Sequence, residues 1–427
     1  MKTKGITLLA LVVIIILSIM CFVKNRESDG NENRTLATYK MVFRPIKDSV
    51  VYKKTPIERF EVALKDQFLF RRIPIVLSLK LDEFLSSWSV SILRKKLGPN
   101  QYTFTRIGDY IRISSTDYLS NKVVVDSYND EKLQIHIDQI IKIHSLYPSI
   151  RMYVYQVTQA NQTGWFNDFL GVKIPDLFNQ LCHLLPSYVK YNHLVYSNLR
   201  DYMTNHYKSD HHWNHEGIRR GYNDIYDMMK NDLQLSEKRS PVKQVNFSEL
   251  YDFKYAGSFA RNLGDAYFGR DDFIAYIYNL PDAEKYAIDP KTFEEVPLRS
   301  LGLQEDYLNG NINLTVDCYQ AYYGFGIGAS DSKIYSEGNA IYLIKTKKPE
   351  TEHNLLIYGD SYNRAFRDVL SSHFKTTIYF QRDIMENYEN VYLNDLIEKY
   401  KIDTILFSSG GDIWVTDNYV FSFSNEK

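Results

Sequence analysis

Residues 354–381 read "NLLIYGDSYNRAFRDVLSSHFKTTIYFQ", and this stretch decides the fold. "LLIY" is a continuous apolar run without alternation, the mark of a strand buried on both faces. After Gly359 and Asp360 the pattern changes to a helical period, with Ala365, Phe366, Val369, Leu370 and Phe374 on one side. "TTIYFQ" returns to strand. Further on, "LNDLIEKY" (393–400) and "DTILFSS" (403–409) repeat helix and strand. Strand, helix, strand in succession implies crossover connections and a parallel sheet flanked by helices.

Working upstream, Leu133, Ile137, Ile140, Ile141 and Leu146 mark a helix that stops before Pro148, and the strand pattern "IRMYVYQV" (150–157) follows. A further helix and strand pair is "FNDFLGVKIPDLFNQLCHLL" (166–185) and "YVKYNHLVY" (188–196). Between 235 and 350 the helical period is lost. Short runs such as "DFIAYIY" and "NAIYLIK" alternate there with turn-rich stretches such as "LNGNIN". The expected organisation is an α/β domain in two parts, 51–234 and 351–427, separated by a β-rich insertion at 235–350. Near the start of the first part, Ile57, Phe60, Leu64 and Phe68 recur at helical spacing, giving an amphipathic helix or pair broken near Pro74.

The amino terminus reads differently. Residues 6–23, "ITLLALVVIIILSIMCFV", are uncharged and long enough to span a bilayer as a helix, with Lys2 and Lys4 before them. No small-x-small cleavage site follows, so the segment is expected to be an uncleaved signal anchor with the rest of the chain outside the cytoplasm. Lys24 and Arg26 on the far side reduce the charge asymmetry that sets this orientation. Cys21 ends "LSIMC", but Met20 is bulky for a lipoprotein site. Residues 24–50 are polar and read as a linker. Cys182 and Cys318 are the cysteines left in the exported part; whether they pair is open, and no chemistry is assigned to them.

The formal net charge is −1, which removes a general electrostatic case for nucleic acid as partner. The chain has 35 tyrosines, which suit either strands or stacking on sugar rings.

Ser361 follows a buried parallel strand and opens a helix, so it stands off the carboxyl end of the sheet, where ligands of open α/β folds bind. Free backbone N–H groups at a helix start suit an oxyanion. The same position also suits a plain helix N-cap in an ordinary turn. A serine nucleophile needs a base, and "KSDHHWNHEG" (208–217) offers one. Asp210 and His212, two apart, project to one side of extended chain, so the carboxylate can hold one ring nitrogen while the other faces a serine. A helix is expected from about Asn214, with Ile218, Tyr222, Ile225 and Met229 on one face. His206, His211, His212 and His215 also crowd this stretch, and His211 with His215 has the spacing of two metal ligands on a helix. A solvated histidine loop is the third reading.

"SDHHWNHEGIRRGY" and "LLIYGDSYNRAFRDVLSSHF" resemble the two signature blocks of the DHHW family of exported Gram-positive proteins. That family is similar to the alginate O-acetylation proteins of the SGNH-hydrolase superfamily. "ENRTLA" (32–37), "FEVALKDQFLFR" (60–71) and "YFQRD" (379–383) extend the likeness more weakly. Carried over by position, Ser361 is the nucleophile, His212 the general base and Asp210 its orienting partner. Gly359, Arg382 and Trp213 join them as oxyanion or substrate candidates. The chain departs from typical members at "QVTQANQTG" (156–164), where a Pro and a Lys are usual, and its second oxyanion donor is unassigned. The resemblance implies an SGNH-like fold and acyl transfer to a cell-surface or secreted polysaccharide, with a membrane-bound O-acyltransferase as acetyl-supplying partner. It calls for no cofactor and no metal ion. A non-catalytic polysaccharide-binding or assembly protein on the same fold is the alternative.

Overall fold

A computed structural model describes residues 55–67, 72–97, 104–121, 130–163, 176–298, 341–381 and 393–410, apart from short breaks inside those stretches, with a few isolated residues elsewhere. The apolar segment 6–23, nearly all of linker 24–50, Cys318 and Arg382 lie outside the described residues. Among those described, no helix is long and apolar enough to cross a membrane. The chain forms two compact units, Met1–Leu119 with Ala256–Arg270, and Ser120–Tyr255 with Asp271–Lys427.

In the first unit, helix α1 (Pro56–Gln67) starts on "TPIE". Thr55 Oγ1 accepts from the Glu58 amide while Glu58 Oε2 accepts from the Thr55 amide, and Pro56 takes the first helical position, where no N–H is needed. Helix α2 (Arg72–Leu97) carries Pro74 in its first turn, so the expected pair is present and the proline stands at the start of its second helix. Strands β1 (Phe104–Ile107) and β2 (Tyr110–Ile113) form an antiparallel hairpin. Ile107 and Leu119 pack with Phe259, Ala260 and Leu263, which come from the excursion 256–270.

The second unit is built on one eight-stranded sheet. In chain order its elements, with the helices and the separate hairpin that accompany it, are α3 (Asp130–Leu146), β3 (Arg151–Val157), α4 (Leu177–Leu184), β4 (Val189–His193), α5 (Leu199–Asn205), α6 (His215–Leu233), β5 (Pro241–Asn246) and β6 (Ile274–Tyr278). They continue as β7 (Ala283–Ile288), β8 (Glu295–Pro297), β9 (Ile341–Thr346), β10 (Thr351–Gly359), α7 (Arg364–Ser371), β11 (Phe374–Gln381), α8 (Leu393–Tyr400) and β12 (Thr404–Gly410). The sheet order is β8-β7-β9-β11-β10-β12-β3-β4, while β5 and β6 pair separately. From β11 to β4 the neighbours are parallel; β9, β7 and β8 add antiparallel strands at one side. The sheet is therefore mixed, because strands from the β-rich stretch extend the parallel block that the sequence announces.

Alternate residues of each parallel strand face a single apolar core. Met152, Val154, Leu356, Tyr358, Ile378, Phe380, Ile405 and Phe407 meet Leu133, Ile137, Ile140 and Ile143 of α3, with Leu393, Leu396 and Ile397 of α8. Ile141 and Leu146, counted in the helical pattern, turn to solvent instead, at 40% and 52% exposure. The intervening residues face α6: Tyr153 OH donates to Asp232 and Tyr155 OH to Asp224, each at 3.0 Å. Burial on both faces is why these strands lack alternation.

Helix α6 receives Trp213 through two glycines one turn apart. A Cβ at Gly221 would lie 2.4 Å from Trp213 Cζ3, and one at Gly217 would lie 2.3 Å from the Asn205 carbonyl and 2.8 Å from Trp213 Cβ. The indole meets Phe366 edge-on and donates through Nε1 to the Tyr362 carbonyl at 3.2 Å. This contact ties the 206–213 loop to the segment that carries Ser361. Gly221→Ala is expected to cost about 1–3 kcal/mol through overpacking, read as a lower thermal midpoint; an unchanged midpoint would show that the slot is loose.

Candidate active site

The chain passes from β10 through α7 to β11 and then through α8 to β12 on the other side of β10, so the carboxyl end of β10 stands in the middle of the parallel block, where ligands of open α/β sheets bind. Ser361 sits there, half-buried. Gly359, the last residue of β10, has no room for a side chain: a Cβ would lie 1.8 Å from Asn363 Nδ2 and 2.0 Å from the Ser408 carbonyl. Asp360 takes the N-cap position of a short 3-10 turn, Ser361–Asn363, that runs into α7. Its Oδ1 accepts from the Tyr362 amide at 3.0 Å, its Oδ2 from the Gly410 amide at 2.8 Å, and its carbonyl from Tyr379 OH at 2.8 Å. Because the aspartate caps, Ser361 does not, and its hydroxyl is turned to another partner.

That partner is His212. The loop that carries it leaves α5 and returns to α6 through a bridge between His206 and Trp213, with the Tyr207 amide on the His212 carbonyl at 3.2 Å. Asn214 then caps α6, its side chain accepting from the Glu216 and Gly217 amides. His212 Nε2 lies 2.8 Å from Ser361 Oγ, and His212 Nδ1 lies 2.9 Å from Asp210 Oδ1. The structure thus brings Asp210, His212 and Ser361 into one hydrogen-bonded line. Asp210 and His212 are 0% and 1% exposed.

Burial and neighbouring charge set the protonation states. Burial alone would raise the Asp210 carboxyl, but the charges and hydrogen bonds of His212 and His211 outweigh it and hold the group well below the usual carboxylate range. Burial pulls His212 down to about 4, helped by the charge of His211 and opposed by Asp210. The two shifts agree on one state near neutrality: an ionised Asp210 beside a neutral His212. With Nδ1 donating to the carboxylate, Nε2 is the acceptor that faces the serine.

Other candidates are placed less directly. Trp213 is fully buried, and its N–H is already bonded to Tyr362, so it belongs to the packing beneath the site. Arg382 is outside the described residues. His211 and His215 do not converge: His215 Nε2 is 3.3 Å from Gln244 Nε2 and its ring lies against Tyr276. Among the described residues, the group with metal-ligand spacing is Asp210, His211 and His212. There the Asp210 Oδ1 atom is within hydrogen-bonding distance of both imidazole Nδ1 atoms, at 2.9 and 3.0 Å, so hydrogen bonding accounts for the cluster.

Sequence reasoning missed several residues that hold these groups. Tyr362 OH donates to the His211 carbonyl at 2.8 Å and accepts from Gln159 Nε2 at 2.9 Å, which ties the unusual "QVTQANQTG" stretch to both loops. Arg364 bonds Gln381 through Nε at 2.7 Å, and its charge lowers His212 further. Tyr255 OH donates to Asp210 Oδ2 at 2.5 Å, and the Asp271 carboxylate accepts from the Lys208 and Ser209 amides. A tyrosine and an aspartate inside the β-rich stretch carry no local signal of such roles.

No family model and no curated protein matches the chain. Solved structures do. Bacillus cereus PatB1 aligns with a TM-score of 0.51 at 16% identity, over 75% of this chain and 100% of its own. A DHHW family protein from Eubacterium siraeum aligns with a TM-score of 0.51 at 17% identity, over 75% of this chain and 99% of its own. The O-acetyltransferase domain of Pseudomonas putida AlgJ gives 0.39 at 9% identity, over 76% and 97%. The chain is therefore similar in fold to PatB1 and to a DHHW family protein, the family that its own "SDHHW" stretch resembles.

Proposed function

We propose that this chain is an extracytoplasmic acyl-transfer enzyme, an O-acetyltransferase or acetylesterase acting on a cell-surface or secreted polysaccharide. The observation that carries the reading is the 2.8 Å contact between His212 Nε2 and Ser361 Oγ, with Asp210 on the opposite ring nitrogen. In that arrangement His212 accepts the Ser361 proton as Oγ attacks the carbonyl carbon of an acetyl ester. The oxyanion is received by the Ser361 N–H at the head of the helix, since the Tyr362 and Gly410 amides are already bonded to Asp360. The intermediate collapses with the C–O bond breaking, and His212 gives its proton to the departing alcohol. A sugar hydroxyl or water then attacks the acetyl-serine and loses its proton to His212; as the acyl carbon's bond to Oγ breaks, His212 returns that proton to Ser361.

The polysaccharide acceptor and the acetyl-supplying membrane O-acyltransferase follow from the DHHW resemblance. The apolar segment 6–23 is the proposed single-pass anchor, with the α/β domain outside the cytoplasm. Tyr153, Tyr155, Tyr222, Tyr255, Tyr362 and Tyr379 are buried and serve the core, while Tyr188 is exposed.

Ser361→Ala should lower hydrolysis of a small acetyl ester by roughly four orders of magnitude while leaving glycan binding intact. Retained hydrolysis would end the proposal. Labelling by an aryl sulfonyl fluoride should map to Ser361 and disappear in His212→Ala. Mass spectrometry with an oligosaccharide acceptor distinguishes transfer from hydrolysis.

The pH profile follows from the buried histidines. With His212 at about 4, kcat/KM should rise with pH through that region and stay level to neutrality. Stability should follow the same sign. Burial depresses His212 to about 4 and His206 to about 3 from an ordinary 6.5. Below 6.5 the unfolded chain therefore binds protons that the folded chain refuses. Stability present above pH 6.5 is lost as pH falls, by about 1.4 kcal/mol per unit for each histidine. Asp210, ordinarily at 3.8, contributes only below this window. Thermal midpoints should fall between pH 7 and 4, with His193, His215 and His373, also lowered by burial, adding in the same direction; midpoints that do not fall would overturn these assignments.

A further inference from the structure

Asp210 is gripped from two directions. Its Oδ1 serves the imidazoles, while its Oδ2 accepts from Tyr255 OH at 2.5 Å. Tyr255 is 2% exposed, its ring set against Tyr207 at 4.9 Å and Phe273 at 5.6 Å. Tyr255 and Asp271 exchange both backbone hydrogen bonds, at 2.9 and 3.0 Å, forming an isolated antiparallel bridge. Across that bridge the Asp271 carboxylate accepts from the Lys208 amide, the Ser209 amide and the Ser209 hydroxyl, at 3.0, 3.0 and 2.5 Å. One bridge thus holds three successive residues, 208 to 210. It is also the neck of the excursion 256–270, whose Phe259, Ala260 and Leu263 are buried in the core of the first unit.

We infer that Tyr255 is a positioning residue: its phenol fixes the Asp210 carboxylate so that Oδ1 stays on His212, and it draws part of the carboxylate charge away from the imidazole. The assignment rests on the proposed roles of Asp210 and His212. A buried carboxylate with one oxygen on an imidazole and the other unbonded turns about its last torsion; a donor on the second oxygen stops that turn. The same donor stabilises the anion, so the imidazolium gains less from it. The ionisable groups acting on or sensing His212 are Asp210, His211, Arg364 and His206.

The test is Tyr255→Phe in the full chain, which removes one oxygen and keeps the ring. Ester hydrolysis is followed across pH, and His212 is titrated by NMR with labelled histidine. The expected result is a kcat about tenfold lower with KM unchanged, corresponding to one lost hydrogen bond to a charged group. The His212 midpoint, and with it the acidic limb of kcat/KM, should rise by about half a unit or more. A folded variant with wild-type kcat and a His212 midpoint that stays or falls overturns the inference. If Tyr255→Phe does not fold, Ser209→Ala loosens the same clamp without touching Asp210. It should move rate and midpoint in the same direction by a smaller amount, and no movement overturns the inference. If the wild-type chain neither hydrolyses an acetyl ester nor transfers its acetyl group to an oligosaccharide, the catalytic proposal fails, and the His212 titration still decides the role of Tyr255.

Discussion

A hydrogen bond of 2.8 Å joins His212 Nε2 to Ser361 Oγ across 149 positions of chain, and the site depends on it. Neither partner reaches the other by local structure. Ser361 is delivered by a strand end where Gly359 admits the Asn363 amide and Asp360 pins the following turn to β11 and β12. His212 is delivered by a loop pinned to α6 through Trp213 and to the Tyr255–Asp271 bridge through its first residues. Two rigid frames meet at Tyr362, whose backbone carbonyl takes the Trp213 indole and whose phenol bonds the His211 carbonyl.

Burial makes the short line of groups chemically directional. A fully buried carboxylate is ordinarily costly, and Asp210 stays ionised because donors surround it, among them the phenol, the two imidazoles and the His212 amide. A fully buried imidazole is ordinarily neutral, and Asp210 only partly reverses this for His212. The ring therefore presents a lone pair to the serine with its tautomer already chosen. Nothing has to reorganise before the proton moves.

Much of this was legible in the primary structure. The unbroken apolar runs at 355–358 and 405–407 marked strands covered on both faces, and the 3.6-residue period after Ser361 and after Asn214 marked the helices that cover them. The spacing of Asp210 and His212 indicated a carboxylate able to hold one ring nitrogen. Other features were hidden. β7 and β9 look like strands of a separate insertion because pairing partners leave no local trace; only their registers with each other and with β11 show them to be part of the main sheet. Trp213 resembles a cleft residue beside a histidine until the two glycines of α6 show where its ring goes.

What the sequence determined by itself is periodicity and chemistry: which segments are strand or helix, which faces are apolar, and that a serine, a histidine and an aspartate are available at element ends. These are properties of neighbours within a turn or a strand. Only the tertiary structure decided whether the groups touch, which residue caps the helix, and that Tyr255 stands behind Asp210. The contacts of Tyr255 with Asp210 and of His212 with Ser361 join positions 45 and 149 apart, and their energies depend on distance and burial, quantities that a linear order of residues does not contain.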